Sequence, residues 1–180
     1  MWWSTKTRRL PETVVQSLAL AHGERVLATA PTQGGSYAVA TVAALHLPDG
    51  AGGFVRLPWE RIEQASWQDG VLVVREPAGN GEHKVRLVDP GAVPETVQER
   101  ITATIVISHH GRLPGGGGVR IVGRRALNGG PAGLRSVGGD PRMAEPTWTF
   151  VFDAGLDPVD PGLRAQAEQL LENLRRQTGL

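Results

Sequence analysis

The stretch FVRLPWERIEQASWQDGVLVVR, residues 54–75, decides how this chain reads. Two runs of alternating apolar residues are separated in it by Asp69-Gly70. Asp-Gly in that setting is the strongest short-range hairpin signal. A type I′ turn needs positive φ at both central residues, which Gly adopts without a Cβ clash and Asp tolerates. With those two residues as the loop, Trp67 faces Leu72 and Ala65 faces Val74, giving the ladder one apolar face. Upstream of the hairpin, Phe54 to Leu57 form a further strand that bends at Pro58-Trp59.

On the N-terminal side, Pro11 and Gly23 bracket a short amphipathic helix carrying Val14, Val15, Leu18, Ala19 and His22 on one stripe. A first strand follows at 26–30, then a turn at 33–36 and one long apolar strand over 37–47. On the C-terminal side, 83–88 alternates as a half-buried strand. Residues 26–88 therefore hold five or six strands joined by hairpin-like turns, the pattern of a small antiparallel barrel or sandwich. From Pro94, the series Val97, Ile101, Thr104, Ile105 and Ser108 predicts a helix over 94–107, although the β-branched run 101–107 also suits a strand. Beyond it, Val119 to Val122 and Thr147 to Phe152 read as strands, and 129–146 as a mobile loop. The last segment predicts a helix capped by Asp160, with Pro161 in its first turn and Leu163, Ala167, Leu170, Leu171 and Leu174 on one stripe.

The composition is that of an ordinary globular chain of 180 residues, with 19 basic against 18 acidic residues. Near-neutrality gives no global field to recruit nucleic acid or anionic membrane. Cysteine is absent, which removes disulfides and thiol chemistry and agrees with a cytoplasmic location. No run approaches the ~18 apolar residues of a membrane span, and the start MWWSTKTRRL is not a signal peptide. Trp2 and Trp3 cover an edge of the fold, lie in a disordered end, or anchor at a membrane surface.

The one charge asymmetry lies in 108–142. Six arginines, Arg112, Arg120, Arg124, Arg125, Arg135 and Arg142, stand against the single acid Asp140. Arg112, Arg120, Arg124 and Arg125 are the candidate ligand-binding residues, for an anionic ligand or a phospholipid headgroup at a membrane surface. The segment has no aromatic side chain on which bases would stack, which argues against nucleic acid. The alternative is a solvated loop in an arginine-rich proteome. His109-His110 lacks the spaced partners of a metal site, and Gly115 to Gly118 precedes a strand and lacks the lysine of a phosphate-binding loop. Neither serines nor carboxylates form a catalytic pattern, so no enzyme, metal or cofactor is expected.

The order of signposts resembles one family. A helix is followed by Gly23-Glu24-Arg25-Val26-Leu27, a strand ending Leu45-His46-Leu47, then Leu57-Pro58-Trp59-Glu60-Arg61-Ile62, an aromatic strand, the Asp-Gly turn and a helix. This is similar to small bacterial, especially actinobacterial, proteins of uncharacterised function with a pleckstrin-homology-like barrel. The resemblance covers residues 12–108. It implies two nearly orthogonal sheets with the 94–107 helix plugging one end, and it carries no catalytic or ligand residue. The departure is the extension over 109–180, a Gly/Arg-rich hairpin and loop followed by a strand and helix. The expectation is one α+β domain over 1–180, mainly antiparallel β. Its function is a non-enzymatic binding or scaffolding module for another protein or a second copy, the latter through the C-terminal helix. A small-ligand carrier or enzyme using the barrel interior is the remaining alternative.

Overall fold

Asp69 and Gly70 sit at φ 52° and 78°, the paired left-handed conformations of a type I′ turn. The computed structural model describes residues 10–77, 81–127 and 145–179. Around this turn β5 (Gln64–Gln68) and β6 (Val71–Arg75) pair with Trp67 opposite Leu72 and Ala65 opposite Val74. The expected register is the observed one. Adding β7 (Glu82–Arg86) completes a three-stranded antiparallel meander.

A four-stranded meander precedes it, built from β1 (Val26–Pro31), β2 (Tyr37–Thr41), β3 (Ala44–Pro48) and β4 (Phe54–Pro58). The single long strand expected over 37–47 is instead a hairpin that reverses at Val42-Ala43. Neither residue is a turn former, and neither has positive φ. The reversal is held by Thr41, whose hydroxyl oxygen accepts from the Ala43 and Ala44 N–H groups at 3.2 and 3.0 Å. A side chain thus supplies what Gly or Asn usually supplies.

The two sheets meet along an apolar interior of Ala28, Ala30, Ala40, Leu45, Leu47, Leu57, Trp59, Ile62, Leu72 and Val74. Trp59 is fully buried in the 3-10 turn that links β4 to β5, and its indole Nε1 donates to Thr41 O at 3.0 Å. At one corner the sheets touch through the isolated Thr32–Leu87 bridge, but the strands do not close into a barrel. The first helix, α1 (Glu12–Ser17), is shorter than the sequence suggests and buries none of its own residues.

Helix α2 (Val93–Thr104) covers the interior with Val93, Val97, Ile101 and Thr104. It ends earlier than expected. Ile105 is already extended, and β8 (Ile105–Arg112) starts there without a loop. The end of the β-branched run, 105–107, is strand, because it belongs to a third sheet in the order β10-β9-β8, while 101–104 stay in the helix. Here β9 is Gly118–Arg124 and β10 is Thr147–Phe152. The β8–β9 connection turns at Gly116 and Gly117, both at positive φ, with Leu113 N donating to Gly117 O at 3.0 Å.

The last helix, α3 (Pro161–Thr178), forms as its sequence dictates. Asp160 caps it by accepting from Leu163 N at 2.8 Å, and Gly179 ends it at φ 69°. Its stripe Ala167, Leu171 and Leu174 packs on Val119 and Ile121 with Trp148, Phe150 and Phe152, making a second apolar cluster. The helix stripe expected to bind a second copy is therefore used within the chain. The expected loop over 129–146 falls mostly outside the described residues, as do Trp2, Trp3, Arg135 and Arg142.

Candidate functional site

Strand β5 is an edge of its sheet, with β6 on one side only. In an antiparallel ladder closed by a two-residue turn, Gln68, Ser66 and Gln64 exchange hydrogen bonds with β6. The N–H and C=O groups of Ala65 and Trp67 therefore point outward. Helix α2 runs beside this edge. Between them lies a groove of roughly 410 Å³ lined by Ala65, Trp67, Leu72, Pro94 and Val97, with Glu95 and Gln98 at its rim. Its walls are almost wholly apolar, and the Trp67 side chain that forms one of them is 37% exposed. Gln98 Nε2 donates to Ala65 O at 2.7 Å, so one outward carbonyl of the edge already has a partner.

The candidate arginines separate. Arg112 and Arg120 stand exposed on the outer face of the β10-β9-β8 sheet, where Arg120 lies across from His110. Arg125 is half-buried. Arg124 is buried, 5% exposed, and its fork faces inward. One of its terminal nitrogens donates to Ile101 O at 3.0 Å and Thr104 Oγ1 at 2.9 Å, and the other to Glu63 O at 3.1 Å. It caps the carboxyl end of α2, where a cation is favoured by the helix dipole. It also ties β9 to the chain just before β5. Burial lowers its pKa, but a guanidinium stays charged at neutral pH. The four residues do not converge, and Arg124 is a structural strut with no donor turned to solvent.

His110 makes an exposed pair with Asp153, Nε2 to Oδ1 at 3.1 Å, over Gly118. His109 projects from the opposite face of β8. Among the described residues no three His, Cys, Asp or Glu side chains gather as metal ligands.

One polar cluster escaped sequence reasoning. Glu24, with its side chain 1% exposed, accepts from Thr41 Oγ1 at 2.5 Å and Ala21 N at 3.2 Å. His46 Nε2 lies 3.6 Å and an Arg56 terminal nitrogen 3.8 Å from the same carboxylate. Burial alone would push the Glu24 carboxyl up, yet the two hydrogen bonds and the neighbouring charges hold it below its ordinary range. Burial pushes His46 down, outweighing the pull of Glu24, so the imidazole is neutral at pH 7. The cluster braces the β2–β3 turn. No sequence signal marks it, because Glu24, Thr41, His46 and Arg56 come together only through the meander.

Compared with protein families, curated proteins and solved structures, the chain matches none. Functional reading therefore rests on the geometry.

Proposed function

We propose that this chain is a non-enzymatic protein-binding module of pleckstrin-homology-like build, which takes an extended segment of a partner protein as an added strand along β5. The observation that carries this reading is the coincidence of an edge strand with the apolar groove against α2. Strand addition draws affinity from main-chain hydrogen bonds and specificity from pockets for alternate side chains. The Trp67 N–H and C=O offer the first. The space between Trp67, Leu72, Pro94 and Val97 offers the second, and seating one apolar side chain there contributes roughly 1.5–3 kcal/mol.

One feature supports the build: two meanders followed by a helix fit the two sheets and plugging helix that the family resemblance implies. The interior between the sheets is filled by Leu45, Leu47, Trp59, Ile62 and Leu72, which weighs against a ligand carrier. The burial of Arg124 weighs against a four-arginine anion site.

A random-peptide phage library panned against the full chain tests the proposal. Selected peptides should share apolar residues at alternate positions. They should shift the backbone amides of 65–67 and 94–98, and they should lose binding in Trp67→Asp. Absence of any enriched peptide, or amide shifts confined to another surface, would refute it.

A further inference from the structure

We propose that β10 is a self-association edge, pairing antiparallel with β10 of a second copy to make one continuous six-stranded sheet. Sheet edges are a hazard that proteins blunt with charge, proline, bulges or covering side chains. Among the described residues four of the six edges carry such a device, and a fifth, β5, is the edge assigned above to a partner segment. Strand β8 has a register shift between Ile105 and Ile107 and bears His109, His110 and Arg112. Strand β7 bears Glu82, Lys84 and Arg86, and β4 bears Arg56 and ends in Pro58. On β1 the Thr32–Leu87 bridge and Pro31 close the end. Strand β10, TWTFVF, has no charge, no proline and no register shift, and among the described residues it pairs with β9 alone.

The phase of its hydrogen bonds admits a second copy as its partner. Asp153 N donates to Gly118 O at 3.0 Å, so the odd-numbered residues turn their backbone groups toward β9. Trp148, Phe150 and Phe152 accordingly turn theirs outward. A two-fold axis through Phe150 joins these outward groups, setting Phe150 against Phe150 of the second copy and Trp148 against Phe152. The same operation keeps every side chain on its own face, because all opposed residues share parity. All three aromatics are only half-buried, and the pairing covers apolar surface that the described residues leave open. On the outer face it places Thr149 against Val151, which is 38% exposed.

The chain has no cysteine, which makes the register directly testable. Full-length wild type should sediment at twice its 19.2 kDa at micromolar concentration. Thr149→Cys and Val151→Cys, mixed and oxidised, should cross-link several-fold more than either variant alone. Val151→Lys should sediment as a monomer with unchanged melting. A monomeric wild type overturns the proposal. So does a mixture that cross-links no better than the single variants, whatever the oligomeric state.

Discussion

Replacing Arg124 with Met keeps most of the side-chain volume and removes the guanidinium donors that tie β9 to the end of α2 and to Glu63. The substitution leaves Glu63 O without its partner and takes a cation from the carboxyl end of α2. Ile101 O is not wholly orphaned, since Thr104 Oγ1 also donates to it at 2.6 Å. Hydrogen bonds to a charged group are worth about 1.5–3 kcal/mol, and a buried acceptor left alone costs about 1–3 kcal/mol. Their overlap here points to a net loss of about 3 kcal/mol, near the lower end for breaking a buried charged contact. For a chain of this size that is roughly 6–12 °C in Tm. The Glu63 carboxyl, already pushed up by burial and partly held down by Arg124, should rise further. Urea unfolding followed by circular dichroism measures the loss, with Arg120→Met as the exposed control expected within about 0.5 kcal/mol of wild type. If Arg124→Met costs under ~1 kcal/mol, or the two variants cost the same, the strut assignment is wrong.

Gly70→Val should destabilise by about 1–2 kcal/mol, because a β-branched residue resists φ 78° and its Cβ would meet an Arg86 nitrogen at 3.3 Å; an unchanged urea midpoint would contradict this. Acidification should weaken the fold through the buried cluster. Below the ordinary histidine value of 6.5 the unfolded chain takes up a proton that folded His46 refuses, so stability falls from there toward the folded pKa. Glu24, held below its ordinary 4.5, keeps its contribution above that pH and loses it as pH falls further. The urea midpoint should drop between pH 7.5 and 5.5, and His46→Gln should flatten that drop. Equal drops in both proteins would assign the effect elsewhere.

How legible the fold was depended on whether a signal is local. The Asp69-Gly70 hairpin and the capped α3 rest on backbone preferences of adjacent residues, and both could be read with their registers and caps. The Val42-Ala43 reversal was illegible because its cause, the Thr41 hydroxyl beneath Glu24, is tertiary. The end of α2 was misplaced because Ile105 continues the helical spacing of Val97 and Ile101, while the β-branched content of 105–107 already argued for extension. Charge counting grouped Arg124 with Arg112 and Arg120, and strand alternation would have kept them on one face, since what buries Arg124 is its tertiary docking on Ile101, Thr104 and Glu63. The β5–α2 groove had one visible half, the edge hairpin with Trp67. The other half, Gln98 reaching the Ala65 carbonyl, exists only when the helix docks.

The junction at Thr104–Ile105, helix on one side and strand on the other, has a consequence for modularity. Separable domains are divided by exposed linkers that few contacts cross. Here no residue intervenes, Arg125 N donates to Thr104 O at 2.8 Å, and Leu127 packs into the first cluster from beyond β9. A cut after residue 108 would remove the groups that finish α2. The contacts run through the seam, and a fragment ending there should fray from the helix that lines the groove.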